Sequence, residues 1–203
     1  MNAKVTTNTI SFKGLRLISG QTGLDLLNTV KYRASSDNGD RFTTFSDIVE
    51  WALLVKIINK KEYKILASQN DHEDNLQVFQ QVSAFRENVR VLFNRPKCFE
   101  HEFAKASKYV EKNIAKLRPS IIIDTKTGVL EKSYPLKTPQ DLKFRIVACI
   151  SDLLQNRDLL TIKQCSGADC DWLFSDETKA KRRKWCDTRT CGNLARVRKH
   201  REI

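Results

Sequence analysis

The 203-residue chain has no run approaching eighteen apolar residues, which excludes a membrane-crossing helix of ordinary length. Its opening, Met1 to Ile10, is polar and lacks a signal-peptide core, so a soluble, cytoplasmic protein with reduced thiols is expected. There is no Gly-rich phosphate loop, no Gly-x-Ser-x-Gly elbow, and no His-x-Glu paired with Pro-Cys-x-x-Cys. Histidine occurs only at 72, 101 and 200, and His101-Glu102 fails as a zincin helix because Lys105 stands where the second histidine belongs. Cys98 and Cys149 are lone thiols in helical contexts, most simply small core residues. Catalysis is not expected of such a chain. Internal repeats and low-complexity segments are absent too.

Acidic residues are in deficit: 24 Asp and Glu against 36 Lys and Arg give a formal charge of +12. Net charge alone points only loosely to an anionic partner, and its distribution says more. Between Lys179 and Arg201 ten basic residues face the single acid Asp187. The C-terminal forty residues therefore carry the densest positive field.

The same forty residues hold Cys165, Cys170, Cys186 and Cys191, two Cys-x4-Cys pairs separated by a run with Lys181, Arg182, Arg183 and Lys184. Four thiolates can surround Zn2+ tetrahedrally, and two local pairs converge at little cost in chain entropy. Neighbouring Lys and Arg favour the thiolates that bind metal. Two disulfides or four unrelated buried thiols are the alternatives, and a reducing compartment argues against the first. With all four positions filled by sulfur, such a site is structural and offers no place for a water nucleophile. Trp172, Leu173, Phe174 and Trp185 would supply its miniature core.

From Cys165 to Arg201 the order Cys-x4-Cys, Phe174, Asp176, a basic run ending in Trp185-Cys186, and Cys191-Gly192-Asn193 resembles the CGNR zinc finger. Upstream, Gly23-Leu24-Asp25-Leu26-Leu27-Asn28-Thr29-Val30 resembles the opening of the ABATE domain found before that finger in a family of stress-induced transcription regulators. One departure is plain: Leu194 stands where the motif has its final Arg. The resemblance implies a helical, sensor-like domain joined to a DNA-binding finger, with a small-molecule effector as a further partner.

Periodicity predicts an α+β chain, predominantly helical: residues 1–158 a mainly helical domain with a short N-terminal strand or strand pair within 9–18 and a β-hairpin over 121–134, and residues 159–203 a small four-cysteine zinc finger. Helices are expected from Thr22, from a Ser46 cap, near 61–68, from Asp71 or Asp74 through Leu92, over 100–117, from a Thr138-Pro139 start to about 155, and over 194–201. Leu76, Phe79, Val82, Phe85 and Val89 mark the inner face of the long helix, Phe103, Ala104, Ala106 and Val110 that of the next. On the last helix Leu194 and Val197 share one side, while Arg196, Lys199 and His200 lie opposite, flanked by Arg198 and Arg201. Together with Arg182, Arg183, Lys184 and Arg189, these cations are the candidate DNA contacts, and Asn193 is a capping or bracing residue. Asp25 and Asn28 on one helical face, with Arg86 interrupting the apolar face of the long helix, form a candidate polar network, structural or ligand-binding.

The leading expectation is a Zn2+-containing, DNA-binding transcription regulator whose helical domain senses a small molecule or forms a homodimer. The alternative is a protein-interaction or assembly module in which the finger is purely structural. A redox-responsive switch at the cysteines ranks below both.

Overall fold

The computed structural model describes residues 11–17, 19, 21–30, 39–69, 72–93, 99–155, 159 and 161–201. Along the chain run β1 (Ser11–Phe12), β2 (Leu15–Arg16), α1 (Thr22–Leu27), α2 (Phe45–Leu54), α3 (Lys60–Ala67), α4 (His72–Phe93), α5 (Glu100–Ile114), β3 (Ser120–Ile123), β4 (Leu130–Ser133), α6 (Pro139–Gln155), β5 (Ile162–Gln164), β6 (Leu173–Ser175), a single π turn (Thr188–Gly192) and α7 (Asn193–Arg201). The strands pair as three separate antiparallel ribbons, β1–β2, β3–β4 and β5–β6. The fold is α+β and predominantly helical. Cys98 and the outer ends of the 9–18 segment lie outside the described residues.

The described residues divide into two compact units, one drawn from Met1–Arg41 and Leu160–Ile203, the other Phe42–Leu159. The sequence places its only boundary at 158/159, whereas the N-terminal segment groups here with the finger. Asn28 makes the reason visible. Its side-chain amide donates to the Leu173 carbonyl and its amide oxygen accepts from the Leu173 N–H, both at 2.8 Å, so it pairs with β6 as another strand would. Just upstream Leu24, Leu26 and Leu27 are fully buried in α1.

In the helical unit, local chemistry sets each helix start. Asp47 reaches back to the N–H groups of Thr43 (2.7 Å) and Thr44 (3.0 Å), so α2 begins at Phe45 with Thr44 as its cap, slightly earlier than the Ser46 start predicted. Asn59 and Glu62 cap α3 reciprocally, and Asp141 returns to Thr138 at the start of α6. α4 packs along α5 and α6 and also meets α2. Their inner faces bury Ile48, Trp51, Val82, Phe85, Val89, Val110, Leu142, Ile146 and Ile150. Burial on α4 begins only at Val78: Leu76, predicted on the inner face, is 56% exposed, and Ala104 on α5 is exposed as well. Arg145 of α6 grips Glu62 of α3 with two nitrogens at 2.7 and 2.9 Å and donates to the carbonyls of Tyr134 and Ile57, locking three segments with one guanidinium.

Candidate metal centre and basic face

The finger begins with a two-stranded ribbon. β5 and β6 pair from Ile162–Ser175 to Gln164–Leu173, and the Cys165 N–H continues the ladder to the Trp172 carbonyl at 2.8 Å. Between the strands the chain folds into a knuckle. The Gly167 N–H points to the Cys165 sulfur at 3.4 Å, and the Cys170 N–H closes on the Gly167 carbonyl. A Cβ at Gly167 would lie 3.1 Å from Cys170 Cβ and 3.4 Å from the Cys191 sulfur, so a side chain there would press on two of the ligands. The second pair is tied to the first by the Cys186 N–H, 3.3 Å from the Cys165 sulfur, and by Ser166 N–H to the Lys184 carbonyl.

This brings Cys165, Cys170, Cys186 and Cys191 together with all four sulfurs within 4.8 Å of one another. Cys186 lies 3.7 Å from both Cys170 and Cys191. Four sulfurs about 2.3 Å from a central zinc stand about 3.8 Å apart, whereas a disulfide would bring two to about 2.05 Å. The donor set fits a tetrahedral thiolate metal site. The charges ask for one as well. Hydrogen bonds from the Cys170 and Cys186 thiols and from two backbone N–H groups hold the Cys165 thiol far below its ordinary value, while the same sharing pushes Cys170 and Cys186 up. The Cys165 thiolate can form unaided, and a cation is needed before Cys170 and Cys186 follow.

Around the sulfurs, Phe174 is buried with Cys165 and Cys186, and Trp172 and Trp185 pack partly buried against them. The Trp185 ring lies close enough that a Cβ at Gly192 would meet it at 3.4 Å. Asp176, wholly buried, is an ionic hub that sequence marks as a motif residue without showing its role. Its carboxylate accepts from Lys163 Nζ (2.6 Å), Thr178 Oγ1 (2.6 Å) and the Arg183 N–H (2.9 Å), and its carbonyl accepts from Lys181 Nζ. The Lys163 ammonium above all, then Thr178, holds the Asp176 carboxyl below the usual carboxylate range.

The predicted DNA contacts separate into two sets. Arg183 is turned inward: its guanidinium stacks 4.6 Å over Phe174 and donates to the carbonyls of Trp185 and Cys186, so it braces the metal loop. Arg198 is exposed but engaged by Asp169 at 2.7 Å. Arg182, Lys184, Arg189, Arg196, Lys199 and Arg201 lie on the surface. α7 follows the π turn directly, with the Asn193 N–H donating to Thr190, and buries none of its residues. Leu194, 57% exposed, lines a cleft of about 490 Å3 with Trp172, Cys170, Cys191, Ala195 and Lys199.

Of the candidate polar network, Asp25 and Asn28 belong to the finger unit and Arg86 to the helical unit. Asp25 accepts from the Ser19 N–H at 3.2 Å, and burial pushes its carboxyl up. Arg86, 1% exposed, lies 5.3 Å over the Phe42 ring and pairs with Glu87. A separate cleft of about 450 Å3 in the helical unit is lined by Thr44, Val49, Tyr63, Gln69, His72 and Phe79, a concavity with no sign in the sequence because three helices contribute to it.

Residues 161–202 match the family model of the CGNR zinc finger, so this segment is similar to that finger over its whole metal-site region. No curated protein matches the chain. Among the described residues no helix is long and apolar enough to cross a membrane.

Proposed function

We propose that this protein is a cytoplasmic DNA-binding transcription regulator whose C-terminal finger, folded around Zn2+, grips the phosphate backbone. The observation that carries the reading is α7: a helix that buries nothing, carries Arg196, Lys199 and Arg201, and is anchored at its first turn to the fourth cysteine. A helix without a buried face gains little from folding onto its own protein, and its charges are left available to phosphates. The four-sulfur site supplies rigidity, leaving no open coordination position for hydrolytic chemistry. The ABATE-like resemblance at Gly23–Val30 supports a regulatory role for the rest of the chain, and the cleft between α2, α3 and α4 offers room for an effector.

Six cations, Arg182, Lys184, Arg189, Arg196, Lys199 and Arg201, set the test. If all six contact duplex phosphates, log affinity falls with log salt at a slope of about −5. Replacing Arg196 and Lys199 together by Glu should flatten that slope and weaken binding on every sequence alike. No retention of DNA by zinc-loaded protein, or affinity indifferent to salt, would sink the reading. The exposure of Leu194 and Val197, 57% and 40%, favours a second one, a protein-docking finger; there, the double charge reversal leaves partner binding intact while Leu194→Ser abolishes it.

A further inference from the structure

Five of the ten large apolar side chains left exposed among the described residues, Ile121, Ile122, Ile123, Val129 and Leu130, lie on one hairpin. Every residue of β3 is exposed, and the three isoleucines are 50–61% accessible. An isolated two-stranded ribbon is marginal in water, and one that leaves both of its apolar strands bare lacks a covering layer. Its two edges differ. β4 carries Glu131 and Lys132 within its span, the usual means of blunting an edge, whereas β3 has no charge within its span; a proline flanks each strand, Pro119 before β3 and Pro135 after β4.

We infer that β3 is the dimerisation edge of this protein, pairing antiparallel with β3 of a second copy to make a four-stranded sheet. The backbone fixes the register. The Asp124 N–H donates to the Val129 carbonyl at 2.9 Å, and Ile122 stands opposite Glu131, so alternate residues Ser120, Ile122 and Asp124 direct their polar groups at β4. The N–H and C=O groups of Ile121 and Ile123 consequently face outward. A two-fold axis normal to the sheet through Ile122 sets Ile121 opposite Ile123 of the second copy, twice, and satisfies all four residues' outward groups. Ile121, Ile123 and Leu130 share one face with Lys132, so pairing fuses two three-residue apolar patches into one.

The same symmetry explains why the partner is another β3 and not β4. A two-fold antiparallel pair keeps faces, so the two most fully overlapped registers of β4 with itself centre on Glu131 or on Lys132 and put like charges in contact. That edge then remains blunted in the dimer, and assembly closes at two copies without continuing into a fibre. The pairing is independent of DNA binding.

Sedimentation equilibrium of the full-length, zinc-loaded protein without DNA tests it. A mass of twice 23.4 kDa is expected, falling to 23.4 kDa in Ile122→Lys, which sets two ammonium groups against each other on the axis. Glu131→Lys, on the far edge, should leave the dimer intact. As a register test, Ile122→Cys should give an intermolecular disulfide at position 122 under mild oxidation, located by peptide mapping, and Glu131→Cys should not. A wild-type monomer at micromolar concentration, a dimer that survives Ile122→Lys, equal cross-linking from position 131, or open-ended assemblies would each overturn the proposal.

Discussion

In the helical unit Trp51, Val82, Phe85, Leu142, Ile146 and Ile150, drawn from three helices, are buried to within about a percent of completeness, and ionic groups enter only as clips such as Arg145–Glu62. In the finger, the C-terminal cluster is Cys165, Phe174 and Cys186 with two half-buried tryptophans, and the burden passes to four sulfurs and the Asp176 hub. The contrast follows from size. A segment of some forty residues has too little apolar surface to offset its own ordering entropy, so it takes a covalent or metal staple, whereas the longer helical segment closes a core unaided.

Removing the metal is the strongest way to break that contrast. A chelator should unfold the finger while leaving the helical unit folded, because structural zinc contributes about 10–16 kcal/mol to peptides of this kind. Amide signals of β5, β6 and α7 should collapse to the narrow dispersion of unfolded chain, with those of α4 and α6 unmoved. Loss of both sets together would show that the units share one folding transition. Cys165→Ser should reproduce the effect, since that sulfur also receives the N–H groups of Gly167 and Cys186.

The converse perturbation is Ile146→Ala, which opens a cavity where α6 meets the core. A cost of about 2–5 kcal/mol is expected in denaturant unfolding of the helical unit, with zinc stoichiometry unchanged.

Asn28→Ala addresses the joint between sequence-distant parts of the finger unit. It leaves the buried N–H and carbonyl of Leu173 without their side-chain partner, a penalty of about 1–3 kcal/mol. Zinc affinity should weaken accordingly, by roughly one to two powers of ten. Asp25→Asn should do less, since its carboxyl is already pushed toward the neutral form by burial.

These positions also show which features a sequence discloses. The metal centre is legible because each Cys-x4-Cys pair is local and its chemistry follows from residue type. So are α4 and α6, whose apolar spacing and starting signals lie within a few residues, and the β3–β4 hairpin, whose Gly128 at φ +69 supplies the turn conformation other residues resist. Asn28 reads as part of a trio with Asp25 and Arg86, yet its partner lies 145 positions away in β6, a pairing that no window along the chain contains. Arg183 looks like its basic neighbours; only the fold shows Phe174 beneath it and two carbonyls in front. β6 stays hidden because three residues between a cysteine and an aspartate offer no period to detect.

The smallest effect sharpens the contrast through pH. The Arg145 guanidinium, bonded to both Glu62 oxygens, holds that carboxyl below the usual carboxylate range. A group depressed on folding stabilises above its unfolded value, about 4.3 for Glu, and the contribution fades as pH falls through the folded value. Glu62→Gln should therefore cost the helical unit about 1 kcal/mol near neutrality, and the difference between variant and wild type should vanish toward about pH 3. Urea titrations at the two pH values, followed through amide signals of α3 and α6, measure it. The finger should respond to the same acidification in another way. Its thiolates take up protons and release the metal, so its unfolding should depend steeply on pH and shift with added zinc, while that of the helical unit stays indifferent to zinc. If the Glu62→Gln difference persists unchanged in acid, it does not arise from the charge of the carboxylate, and the ionic contribution assigned to the clip is absent.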